Sequence, residues 1–238
     1  MENAGYITLT RQSGLMRQMN VVANNIANAA TTGFRQEGVV FSEHVTKVTG
    51  GDSLSMARGN VRNTSMMQGG LTQTGGTFDF AIEGDGFFMV ETPNGNRLTR
   101  AGSFTPNANG DLVTPDGYPV LDAGQAPIFV PPDAHDLAVS SDGTISAGGQ
   151  PLGQVGLFAP VDPAKMVRED GVRFDSRGGA EPVLAGANIL QGFLEGSNVD
   201  PMGQIARMIE VQRAYEMGQK FLETEDERIR SALKTFIK

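Results

Sequence analysis

Asp200-Pro201 opens a segment in which no further proline occurs through Lys238. Asp is a strong helix N-cap, and Pro is pre-set for the first helical position. From there a three-four spacing picks out Ile205, Met208, Gln212, Tyr215, Gln219, Leu222, Asp226, Ile229, Leu233 and Phe236. That is the narrow stripe of a coiled-coil seam. As a helix, 201–237 spans ~55 Å at 1.5 Å per residue. A compact globule of 238 residues is only roughly 45 Å across. The helix therefore protrudes, and its apolar stripe needs a partner. Gln212, Gln219 and Asp226 fall at one heptad position, where polar groups cost stability but set register.

A second stripe lies at the other end. Leu15, Met19, Val22, Ile26 and Ala29 repeat the same spacing, and Thr32-Gly33 is expected to stop the helix. Asn24, Asn25 and Asn28 each cost a helix roughly half a kcal/mol relative to Ala, which suits amide contacts with neighbours better than an isolated helix. The two stripes are expected to pair with each other, with sister subunits, or with both. The alternative is that both termini order only upon association.

Between them the period changes to two. Phe78, Phe80 and Ile82 alternate with Asp79, Ala81 and Glu83, and Phe87-Phe88-Met89-Val90 is a short apolar run. Turn pairs follow at Asn94-Gly95, Asn109-Gly110, Asp116-Gly117 and Asp142-Gly143. Further strands are expected at Ile128 to Val130, Val139, Ile145, Val155 to Phe158, Val172 to Phe174 and Ile189-Leu190. Much of the high glycine count of 31 is thus turn chemistry. Residues 35–75 are polar with little periodicity and read as an extended connector. The expected class is α+β: paired, coiled-coil-like terminal helices and a central all-β domain, meander or barrel-like. The segments are an assembly helix in 1–32, a connector in 33–75, a β-domain in 76–190 and an assembly helix in 191–238.

Little in the chain points to catalysis. It has no Cys and two His, which removes disulfides, thiol nucleophiles and cysteine-zinc sites. His44 and His135 have no second ligand at metal spacing. Gly84-Asp85-Gly86 follows a strand, but Met89 stands where a dinucleotide fingerprint needs a small residue, so a tight turn is expected. Asp142-Gly143-Thr144 lacks the ligand pattern of a calcium loop. No catalytic, cofactor or metal residue is assigned. A secreted hydrolase working through β-domain carboxylates is the rival reading, though nothing singles out a pair.

Net charge is −8, distributed as +2 over 1–75, −9 over 76–190 and −1 over 191–238. An acidic middle argues against nucleic-acid binding. No apolar run is long enough to span a bilayer. Glu2, Asn3 and Thr8 stand where a signal peptide needs basic and apolar residues, so the chain is expected to be cytosolic or to leave by a route that cleaves nothing.

Taken together, the segments resemble one family. Ala23-Asn24-Asn25-Ile26-Ala27-Asn28-Ala29-Ala30-Thr31-Thr32-Gly33-Phe34-Arg35 looks like the N-terminal signature of bacterial flagellar rod and hook proteins. Leu194-Glu195-Gly196-Ser197-Asn198-Val199-Asp200-Pro201, with Gln212-Arg213-Ala214-Tyr215-Glu216, resembles that family's C-terminal end. Ala81 to Phe88, Thr99 to Phe104 and Gly110 to Thr114 resemble its β-domain. The opening Met1 to Tyr6 and the short length are most like the proximal rod members. Ala30 and Gly76-Thr77 depart from the usual pattern.

The resemblance implies a structural subunit without enzymatic activity or cofactor. It implies export by the flagellar type III apparatus without a cleaved signal, and assembly in the periplasm with copies of itself and other rod subunits. The terminal helices would form an inner tube with the β-domain outside it. The interaction residues are then Leu15, Met19, Val22, Asn24, Asn25, Ile26 and Asn28 at the N-terminus. At the C-terminus they are Ile205, Met208, Gln212, Tyr215, Gln219, Leu222, Ile229, Leu233 and Phe236. A distal rod or hook-type role is the alternative within the family.

Overall fold

The computed structural model describes residues 2–46, 54–183 and 186–236. Two compact units divide the chain: one of Met1–Ala27, Gln36–Ser65 and Val199–Lys238, the other of Asn28–Arg35 and Met66–Asn198.

The first unit holds helix α1 (Glu2–Ala27), strands β1 (Glu37–Thr46) and β2 (Leu54–Thr64), and helix α2 (Pro201–Phe236). Asp200 caps α2 as its sequence dictates, Oδ1 accepting from Met202 N and Oδ2 from Gly203 N, each at 3.2 Å. α1 stops at Ala27, earlier than Thr32-Gly33 suggested. Asn28 is already in a turn, where its carbonyl accepts from Thr31 N and its side-chain oxygen from the Thr31 hydroxyl, both at 3.1 Å. Asn and Thr side chains compete with the helix ladder, and here the local bonds win. The stretch read as a connector contains an antiparallel ribbon, β1 against β2, with a register shift between Val40 and Phe41 and Ser65 N bonded to Gln36 O at its base. Its polar sequence hides the pairing because no apolar alternation marks a buried face.

The second unit is β-rich. Its strands are β3 (Leu71–Gln73), β4 (Phe80–Gly84), β5 (Phe87–Thr92), β6 (Gly95–Thr99), β7 (Thr105–Pro106), β8 (Leu112–Val113), β9 (Leu137–Val139) and β10 (Thr144–Ala147). There follow β11 (Gln150–Gln154), β12 (Leu157–Pro160), β13 (Met166–Asp170), β14 (Arg173–Ser176), β15 (Ala180–Pro182), β16 (Ala187–Gln191) and β17 (Phe193–Glu195). The main sheet runs β13-β14-β6-β5-β12-β15, with smaller pairings β11-β10-β9, β16-β4, β17-β3 and β7-β8. Among the described residues no sheet closes on itself, so the barrel-like expectation is corrected. β13 and β15 end the main sheet unpaired with each other, and its order departs from a simple meander because β12 crosses back beside β5.

β5 explains the unbroken apolar run at Phe87 to Val90. Phe88 and Val90 enter one core with Phe80, Ile82, Phe104, Leu112, Val120 and Ile145, whereas Phe87 and Met89 enter another with Leu98, Leu121, Phe158, Met166 and Phe174. A strand covered on both faces loses its alternation. Edge-to-face contacts of Phe88 with Phe104 (5.2 Å) and Phe87 with Phe174 (6.2 Å) lie in the separate cores. Gly84-Asp85-Gly86 joins β4 to β5 through a bend at Asp85, the two strands pairing with different partners. The segment Ile128 to Val130, expected as a strand, contributes an isolated bridge, Asp111 with Phe129, although Ile128 and Val130 are buried.

Candidate assembly surface

α1 and α2 pack antiparallel, as three polar contacts show. Asn25 Nδ2 donates to Gln204 Oε1 at 3.1 Å, Gln12 Nε2 donates to Tyr215 O at 2.8 Å, and Gln18, its amide oxygen facing α2, accepts from Arg207 Nε at 2.9 Å. Asn25 does most. Its amide also donates to Glu37 O (2.8 Å) and accepts from Glu37 N (3.0 Å), satisfying the first residue of β1 as a neighbouring strand would. A buried amide thus joins α1, α2 and the ribbon, which explains why the helix accepts an Asn there.

The seam of α2 is offset from the one read in the sequence. Val211 is buried and Gln204, Met208, Ala214, Tyr215, Gly218, Leu222 and Glu225 are half-buried, while Gln212, Gln219 and Asp226 are exposed. Met208, Tyr215 and Leu222 belong to both readings; at alternate positions the contact falls one residue earlier, on Val211, Gly218 and Glu225. Gly218 gives the reason. A Cβ there would lie 2.3 Å from Gln12 Nε2, so the Gln12 side chain lies over a residue that has none of its own, a contact that a hydrophobicity stripe passes over. Ile205, Ile229 and Leu233 are exposed, and the Phe236 side chain lies outside the described residues. On α1, Leu15, Val22 and Asn25 are buried, Met19 and Ile26 half-buried and Asn24 exposed. Asn28 falls beyond α1, half-buried in the second unit.

Sequence reasoning missed the most buried charges of the second unit. Arg35 Nη2 lies 3.1 Å from Glu195 Oε1, and Arg100 Nη1 lies 2.9 Å from Glu195 Oε2. Glu195 Oε1 also accepts from Gly69 N at 3.0 Å, Arg35 reaches the carbonyls of Met66 and Met67, and Arg100 Nη2 donates to Gly84 O at 2.8 Å. Backbone bonds run alongside, Gly33 N to Glu195 O at 2.7 Å and Asn198 N to Phe34 O at 3.2 Å. Arg168 stacks on Phe34 (4.2 Å) and Phe174 (4.6 Å). Burial pulls the Arg35 guanidinium down to about 10 and the Arg100 guanidinium also downward, with Glu195 opposing both. The available signal was three single charges, each among small or apolar residues: Phe34-Arg35, Arg100-Ala101-Gly102 and Leu194-Glu195-Gly196.

Among the described residues no cluster of three or more His, Asp or Glu could hold a metal, and no helix is long and apolar enough to cross a membrane. The chain resembles the flagellar basal-body rod protein FlgF of Caulobacter vibrioides at 40% identity, over 98% of this chain and 97% of the relative. The chain belongs to the flagellar basal-body rod protein family. FlgF of Mesorhizobium japonicum is also 40% identical, over 91% of this chain and 90% of its own, and the rod protein FlgG of Bacillus subtilis is 34% identical over 93% and 94%. Three family models match: the flagella basal body rod protein at 6–35, the flagellar hook protein FlgE/F/G D1 domain at 81–147, and the flagellar basal body rod FlgEFG protein C-terminal at 190–235. Arg35, Arg100 and Glu195 come one from each. The rod-family segments, far apart in sequence, thus meet at one buried ion cluster.

Proposed function

We propose that this rod-family chain is a structural subunit of the bacterial flagellar basal body, in the proximal part of the rod, which assembles through its terminal helices into the shaft that transmits torque. The observation that carries the reading is the pair α1–α2, whose exposed apolar residues are left for neighbours, in a chain whose FlgF relatives match over nearly its whole length. The assembly elements are the helices within 1–32 and 191–238, and 76–190 is a separate β-domain. The role is mechanical, without a catalytic site. Head-to-tail contacts repeated along a lattice give an open helical assembly. Export by the flagellar type III apparatus without a cleaved signal and assembly in the periplasm complete the reading; an absence of cysteine suits passage into an oxidising compartment. The similarity to FlgG supports a distal rod position as the second reading.

Basal bodies purified from cells carrying an epitope-tagged chain test the assignment. Label next to the inner-membrane ring is expected for a proximal subunit, and label only beyond it supports the distal reading. Leu222→Asp and Ile229→Asp are expected to abolish incorporation and motility while the β-domain remains folded. Normal motility in both variants would remove the helices from the interface.

A further inference from the structure

One groove of the first unit is incomplete. Ile7, Thr8, Arg11, Gln12 and Leu15 of α1, with Ala214, Met217, Gly218 and Phe221 of α2, line an open space of about 370 Å³, against ~30 Å³ for one water in the liquid. Its apolar lining stands open to solvent, Met217 being 66% and Phe221 43% exposed. Gln12 is more than nine-tenths buried, yet its Oε1 has no hydrogen-bond partner while its Nε2 is used by Tyr215 O. Leaving a buried acceptor unpaired is unfavourable. The occupant must therefore bring aliphatic side chains, and a donor on it satisfies Gln12 Oε1 once that enclosed oxygen turns toward the groove.

The same chain carries a segment of that chemistry. The antiparallel register set by Asn25–Gln204 and Gln12–Tyr215 brings the start of α1 beside the acidic stretch of α2 near Asp226. Roughly the last two to three turns of α2 therefore extend past α1. Ile229 and Leu233, one turn apart there, are 46% and 54% exposed. On the adjoining row Arg230 Nε pairs with Asp226 Oδ2 at 2.9 Å, so a guanidinium and a carboxylate flank the aliphatic pair. This tip cannot fill its own groove. Phe221 and Ile229 lie on one continuous helix, about 12 Å apart along its axis.

We propose that the groove receives the α2 tip of a second copy. Ile229 and Leu233 cover Met217 and Phe221, Asp226 faces Arg11 at the rim, and the enclosed Gln12 Oε1 turns outward to accept from Arg230 as the groove fills. The proposal rests on the rod-subunit reading and deepens it by naming the two surfaces that meet.

The absence of native cysteine makes the test direct. A chain carrying only Met217→Cys is mixed with one carrying only Leu233→Cys and mildly oxidised. The control replaces Met217→Cys with Met202→Cys, at a residue of α2 that is more exposed but outside the groove. The mixed 217–233 dimer is expected at least tenfold above the 202–233 dimer. Equal yields overturn the proposal. Adding Gln12→Leu to the Met217→Cys chain is expected to lower the yield severalfold with helix content unchanged by circular dichroism; an undiminished yield removes the Arg230–Gln12 contact. Repeating the oxidation in motile cells separates the two levels. Incorporation into basal bodies without a 217–233 link, or with a link from position 217 to a different protein, leaves the rod reading standing and overturns this contact. Basal bodies lacking the chain overturn the rod reading itself.

Discussion

Arg35 Nη2 and Glu195 Oε1 lie 3.1 Å apart with both side chains 1% exposed. With Arg100 on the other carboxylate oxygen, two guanidiniums share one buried carboxylate, with Asp85 a second and weaker opposing charge nearby. Such an arrangement adds little net stability while intact, because desolvation offsets the attraction, but breaking it strands charge. Glu195→Gln keeps the shape and an acceptor for Gly69 N but removes the only carboxylate bonded to the two guanidiniums among the described residues. The expected loss is about 3–5 kcal/mol, read by urea unfolding. Glu181→Gln, at an exposed position of β15, is expected within about 0.5 kcal/mol of the parent. Equal effects from the two changes would show that the cluster does not hold the unit together.

Gly33, beside this cluster, is irreplaceable for a reason different from helix capping. Its φ is +69°, and a Cβ would sit 2.2 Å from Ala101 N, a backbone atom that cannot swing aside. Gly75 has a similar φ of +73° but open space around it. Gly75→Ala is therefore expected to cost only the left-handed strain of about 1–2 kcal/mol. Gly33→Ala adds the clash and is expected to exceed about 3 kcal/mol. Calorimetry of the two variants separates strain from collision, and similar melting temperatures would refute the close approach.

How far the sequence could be read follows from how local each signal was. Asp200-Pro201 fixes the start of α2 within a few residues, so the cap was legible. The ends of α1 and the α2 seam depend on distant partners. Asn28 turns the chain through Thr31, and Gly218 is chosen by Gln12, some two hundred positions away. The ribbon has no apolar alternation to announce it. The strand order places β12 beside β5 through contacts of Leu157 with Phe88 and Phe158 with Phe87, which no local pattern encodes. Glu195 was visible only as a charge in a motif, because its two arginines lie in other segments.

Glu169 gives a pH-dependent test. Its hydrogen bond from Arg97, and secondarily one from Asn94 Nδ2 at 3.1 Å, hold its carboxyl below the usual carboxylate range. A carboxyl lowered on folding stabilises the folded state above its unfolded value, about 4.3, and loses that contribution as pH falls through the lowered folded value. Glu169→Gln is therefore expected to melt below the parent at pH 7, with the gap narrowing steadily below pH 4. A gap constant across that range would mean that packing, not ionisation, carries the effect.

The position of the α2 seam can be decided by neighbouring substitutions. Val211 is 3% exposed between α1 and α2, whereas Gln212, which the heptad reading places on the seam, is exposed and bonds along its own helix to Glu216 Oε1 at 3.0 Å. Val211→Ala removes two buried carbons and leaves a small cavity, for about 2 kcal/mol. Gln212→Ala gains helix propensity and loses one surface hydrogen bond, so a change within about 0.5 kcal/mol is expected. Helix melting followed by circular dichroism at 222 nm measures both. A larger loss at 212 than at 211 would restore the heptad frame and move Gly218 off the contact. The expected order would place the contact row of α2 on Val211, in the frame that includes Gly218 beside Gln12.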